Sequence, residues 1–106
     1  MGSEIVIAIY RPRRGREAAL DALVARHRPA LVAAGLVTDR PFVLARSSDG
    51  AILEIFEWKD ADAAQKAHEH PVVGALWNEM GEVADFPPLA DLAESTRRFP
   101  HFRPLP

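Results

Sequence analysis

The segment "EIVIAIYR" (residues 4–11) constrains the fold more than any other stretch of the chain. Ile5, Ile7 and Ile9 alternate with Val6, Ala8 and Tyr10, so an extended backbone through these residues is apolar on both faces. A strand with one wet face alternates apolar with polar residues; this one belongs at the centre of a sheet covered on both sides. A chain of 106 residues folds as one domain with one modest core. Its helices can cover one sheet face, and little remains to cover the other. The economical solution is a second copy of the sheet, which predicts a homodimer packed sheet to sheet.

The other elements follow from periodicity and punctuation. "REAALDALVARHRPALVAAG" (16–35) carries Leu20, Leu23, Val24, His27, Leu31 and Ala34 at helical spacing, with Pro29 predicting a kink and Gly35 a C-terminal stop. "RPFVLAR" and "AILEIFEW" read as strands joined through "SSDG", whose Asp-Gly pair signals a hairpin. Asp60 is a suitable N-cap for "ADAAQKAHE". Pro71 ends that helical piece at His70 and opens the next, in which Val73, Leu76, Trp77, Met80 and Val83 form an apolar stripe. "ADFPPLADL" fits a short fourth strand, with its prolines tolerable only at an edge. The order β-α-β-β-α-β is the split βαβ of ferredoxin-like α+β domains, with strands one and three central and two and four at the edges.

Residues 4–96 make this domain, and 97–106 form a Pro/Phe arm. In "RRFPHFRPLP", Phe99, Phe102 and Leu105 recur every third residue and so share one side of a polyproline helix. Such an arm is expected to dock, across the dimer.

Composition excludes several classes. With no cysteine there are no disulfides, thiolate metal sites or cysteine nucleophiles, and the expected compartment is the cytoplasm. No stretch approaches the ~20 apolar residues of a membrane span, and no secretory signal pattern opens the chain. A net charge of −2 provides no field for nucleic acid. "RPRRGR" is the one basic cluster and reads as a solvated turn. Nucleophilic-triad, phosphate-loop and dinucleotide patterns are missing.

The run "EIFEWKDADAAQKAHEHPVVGALW" resembles the antibiotic-biosynthesis-monooxygenase-like family. The likeness lies in a third strand ending Glu-x-Trp, an acidic N-cap, an alanine-rich helix, Ala-His, a Pro-initiated piece and a Trp. Residues 16–35 and the closing "PLADLAE" segment look similar too, so the resemblance spans nearly the whole chain. It implies a dimeric α/β barrel with a ligand cavity between sheet and helices. The family's activities include cofactor-free oxygenation of aromatic polyketide-like or quinol-like compounds and haem degradation. The haem-degrading branch shares an Asn on strand one, a Trp in helix two and a His further along. Aligned on Pro71, these positions hold Ala8, Ala67 and Trp77, so that activity is not expected.

His68 and His70 lie about 200° apart on a regular helix and cannot jointly chelate a metal, so no metal or cofactor is expected. Either imidazole suits proton transfer near a cavity, and these are the candidate catalytic groups. Glu54 is a carboxylate between Ile52 and Phe56 on one strand face; if buried it needs a partner, and Arg46 on the neighbouring strand is the expected one. Phe56, Trp77 and Met80 are expected cavity walls, with Tyr10 or Arg46 as anion partner. The reading is a homodimeric, cofactor-independent monooxygenase acting on a small apolar or aromatic molecule. The alternative is a non-catalytic ligand-binding or stress-related dimer of the same fold.

Overall fold

The computed structural model describes residues 2–105. Strand β1 (Glu4–Pro12) leads to helix α1 (Glu17–Ala33), then to the hairpin of β2 (Val43–Arg46) and β3 (Ile52–Trp58). Helices α2 (Ala63–Glu69) and α3 (Pro71–Val83) follow, then the short strand β4 (Ala84–Asp85). Two 3-10 turns, Leu89–Asp91 and Ala93–Thr96, lead to β5 (Arg103–Pro104). All strand pairs are antiparallel, in the order β4-β1-β3-β2-β5. The central pair is β1 with β3, in register from Glu4↔Trp58 to Tyr10↔Ile52.

Two expectations need correction. The sheet does not close into an α/β barrel. Its margins, β4 and β5, are two residues each and lie on opposite sides of the sheet. Closure would require continuous hydrogen bonding between edges, and Pro87, Pro88 and Pro104 remove donors there. The architecture is an open, five-stranded antiparallel sheet with ferredoxin-like strand order and helices on one face. Second, β2 is not an edge. The C-terminal arm adds to it through Ala45↔Pro104 and Arg46↔Arg103, and the Leu105 N–H donates to Leu44 O at 2.9 Å. Pro106 lies outside the described residues.

The local reasons for the helices are visible. Helix α1 runs through Pro29 and ends in a Schellman arrangement. The Gly35 N–H donates to Val32 O and the Leu36 N–H to Leu31 O, while Gly35 takes φ of 70°, a left-handed backbone that glycine adopts without a Cβ clash. Leu36 is thereby folded back into the core. At the second break His70 is extended (φ −75°, ψ 127°), as a residue before proline must be, and its Nδ1 accepts from the N–H groups of Val72 and Val73. Leu20, Val24 and Leu31 of α1 and Val73, Leu76 and Met80 of α3 bury against Ile52 and Phe56 of β3.

The second sheet face is partly covered by the chain itself. Ile9, Ala45, Ala51 and Leu53 are buried beneath Leu92, with Phe102 packed alongside. That segment is pinned by Glu94, whose carboxylate accepts from Ser47 Oγ and the Ser48 N–H, both at 2.8 Å. These bonds, the Ser48 N–H first, lower the Glu94 pKa below the ordinary glutamate range. At the other end of this face Ile5, Ile7 and Val43 remain 54%, 44% and 53% exposed.

Candidate functional site

A cavity of about 430 Å³ lies between the sheet and the helices. On β1 the helix-facing set is Val6, Ala8 and Tyr10, as the two-residue period of a strand requires. On β3 the same period presents Phe56 and Trp58, with α1 supplying His27 and α3 supplying Trp77 and Met80. Space remains because Ala8 and Gly74 bring almost no side chain to the facing surfaces. His68, Asn78 and Phe86 line the cavity and are exposed, which marks its mouth.

Behind the apolar walls runs a buried polar chain. The Tyr10 hydroxyl donates to Glu54 Oε1 at 2.6 Å. His27 Nδ1 lies 2.8 Å from the same oxygen, and the Trp77 indole N–H donates to His27 Nε2 at 2.9 Å. This geometry decides the histidine tautomer. Nε2 must present a lone pair to the indole, so the ring proton sits on Nδ1 and is donated to Glu54. His27 is therefore a neutral imidazole oriented by a buried carboxylate. Glu54 is fully buried, His27 is 2% exposed and Tyr10 5%. Glu54 Oε2 has no hydrogen-bond partner. Burial first, and then the adjacent Glu54 charge and hydrogen bond, raise the Tyr10 pKa well above the usual phenol value. Tyr10 thus remains a donor throughout the neutral range.

Aromatic edges fix these groups. The His27 ring stands edge-on to Phe56 at 5.6 Å between centroids, and His68 stands edge-on to Trp77 at 4.7 Å. Phe42 stacks on Phe56 at 4.9 Å, closing the wall from the loop before β2.

Of the residues singled out from sequence, Tyr10, Phe56, His68, Trp77 and Met80 meet at this cavity. Glu54 lies one hydrogen bond behind it. His70 does not line it, because its ring caps α3. Arg46 is not the partner of Glu54. It faces Ile52 in the β2–β3 register and binds Asp21 of α1 with both carboxylate oxygens, at 3.0 and 3.1 Å. The true partner, His27, is among the core stripe of α1 and carries no motif; its only sequence signal is a histidine amid apolar helix positions in a chain with an intrastrand carboxylate to satisfy. Among the described residues no group of three His, Asp or Glu could hold a metal.

No protein-family model matches the sequence, and no curated protein matches it. Among solved structures, the chain is similar to a crystal structure from Bordetella bronchiseptica described as a "Putative antibiotic biosynthesis monooxygenase". The two share 24% identity and a TM-score of 0.66 over 83% of this chain and 91% of that one. The likeness is one of fold. No helix among the described residues is long and apolar enough to cross a membrane.

Proposed function

We propose that this chain oxygenates a flat, enolisable aromatic compound, a phenol or quinol-like molecule, in the cavity and without a cofactor. The observation carrying this reading is His27, a residue of the cavity wall whose Nδ1–H is held by the buried carboxylate of Glu54 and whose Nε2 accepts from the Trp77 indole. The substrate hydroxyl takes the place of the Trp77 N–H on Nε2 and gives up its proton there. Glu54 stabilises the imidazolium that forms, as a carboxylate behind a histidine does in acyl-transfer triads. The substrate anion passes one electron to dioxygen, and the two radicals join at the ring carbon as a peroxide. The carbon's hydrogen leaves as a proton while the O–O bond breaks. One oxygen remains as a carbonyl and the other departs as water, so a CH₂ or its enol plus O₂ becomes C=O plus H₂O.

In this scheme Phe56, Trp77 and Met80 hold the ring, Tyr10 orients Glu54, and His68 contacts substrate at the mouth. Oxygen uptake with anthrone or hydroquinone tests it. His27→Gln should lower the rate at least about 100-fold, the usual contribution of general-base catalysis. His70→Ala should keep most of it. Uptake that survives His27→Gln removes the proposed base.

A second reading is favoured by one specific feature: both ring nitrogens of His27 are already hydrogen-bonded in the free protein. A binding module without turnover would show quenching of tryptophan fluorescence by the same compounds and no oxygen uptake.

We further propose that two copies pair across the uncovered end of the second sheet face. Ile5, Ile7 and Val43 supply the apolar surface, and Phe99, 80% exposed, projects from the arm towards a partner. Light scattering at micromolar concentration should give twice the chain mass, and Ile7→Glu should halve it.

A further inference from the structure

We infer that the cavity selects its ligand by charge, favouring an aromatic cation such as a protonated arylalkylamine and rejecting the matching carboxylate. The inference rests on the proposed ligand-binding role of this cavity and adds to it the charge that the aromatic occupant carries.

The first observation is an uncompensated charge. Glu54 is fully buried, and its hydrogen bonds come only from a phenol and a neutral imidazole. A second proton on His27 would have to sit on Nε2, where it would face the Trp77 N–H donor. A proton on Oε2 would be a buried hydroxyl without an acceptor, since nothing lies within hydrogen-bonding reach of that oxygen. No arginine or lysine lines the cavity. Four arginines of β1, α1 and β2 are engaged elsewhere: Arg11 with Asp49, Arg26 with Glu79, Arg46 with Asp21, and Arg28 over the Phe42 ring. A carboxylate at Glu54 therefore has no arginine or lysine beside it, the only other basic group on the wall being His68 at the exposed mouth, and an occupant is what can balance it.

The second observation is the wall itself. Phe56, Trp58, Trp77, Tyr10 and Phe86 surround the space. Their π faces attract a cation, most strongly where water is displaced. A carboxylate one hydrogen bond behind such a wall acts through a medium of low effective dielectric, where a unit charge several ångströms away changes affinity by about tenfold or more. An anionic ligand would bring a second negative charge beside Glu54 with no arginine or lysine on the wall to offset either.

Three probes of the same shape test this: naphthylmethylammonium, naphthylmethanol and naphthoate, titrated at neutral pH by tryptophan fluorescence and calorimetry. The titrations are run at about 1 M salt, where the Debye length is about 3 Å and surface charges are screened. The cation is expected to bind about tenfold more tightly than the alcohol, and the acid at least about tenfold more weakly. Glu54→Gln keeps an oxygen for Tyr10 and His27, and should bring the cation and alcohol to equal affinity. The ranking in the unsubstituted protein decides the matter even if that variant does not fold. Equal affinities, or tighter binding of naphthoate, overturn the charge selection while leaving a ligand cavity in place. Failure of all three to bind overturns the ligand-binding reading and the charge selection with it.

Discussion

Tyr10→Phe removes one oxygen from one end of the buried chain and nothing else. The ring keeps its place against His27 and Phe86, so apolar packing is preserved. What is lost is a 2.6 Å hydrogen bond to a fully buried carboxylate, from a tyrosine that is itself only 5% exposed. Hydrogen bonds to charged groups contribute about 1.5–3 kcal/mol net. Glu54 would then keep only His27 as a donor, so the expected cost is about 2 kcal/mol. For a domain of this size that lowers the thermal midpoint by about 10 °C. Urea titration should show the same loss with an unchanged slope. A cycle with Glu54→Gln should return a coupling of about 1 kcal/mol or more, because the second substitution removes the charge that strengthens the bond. The sign of the alkaline limb is also determined. The Tyr10 pKa is raised in the folded state, so its contribution to stability is complete below the ordinary phenol pKa and is lost as pH rises above it. Tyr10→Phe should flatten that limb. A loss under about 0.5 kcal/mol, or an additive double variant, would mean that Glu54 is solvated and the chain is not as described.

Other outcomes follow from the same geometry. His70→Ala removes the side-chain cap of α3 and should cost about 1 kcal/mol by urea titration. Gly35→Ala places a Cβ on a backbone with φ of 70°; the surrounding space is open, so only the conformational penalty of about 1 kcal/mol is expected. The Glu94 pKa is lowered in the folded state, so its contribution is present above the ordinary glutamate range and lost as pH falls through the lowered value. Glu94→Gln should remove that part of the acid dependence, and Glu94→Ala should speed amide exchange in residues 92–105.

Much of the fold was legible because its punctuation is local. Pro71 after His70 divides the second helical segment, Gly35 closes the first, and Asp49-Gly50 turns the hairpin. Each is a short-range constraint on φ or on a backbone donor. The two-sided apolar β1 correctly placed itself at the centre. It misled about the second face, because Leu92 and Phe102 return from over 80 residues away to cover Ile9. A barrel requires edge-to-edge closure, which depends on strand lengths that two-residue edges do not reach. At the site, Tyr10, Phe56, Trp77 and Met80 could be found because strand and helix periods point them inward. The pairing of Glu54 could not. Arg46 is its near neighbour along the hairpin, whereas His27 reaches it only once α1 lies across the sheet, and a histidine on an apolar stripe looks the same whether it fills space or holds a carboxylate.

The site turns on His27 being a neutral imidazole with its proton on Nδ1, locked between Glu54 and Trp77. Nitrogen NMR of selectively labelled histidine measures this directly. At neutral pH a protonated Nδ1 resonance, an unprotonated Nε2 and a scalar coupling across the hydrogen bond from the Trp77 indole are expected. A protonated Nε2, as either the other tautomer or the imidazolium, would contradict it.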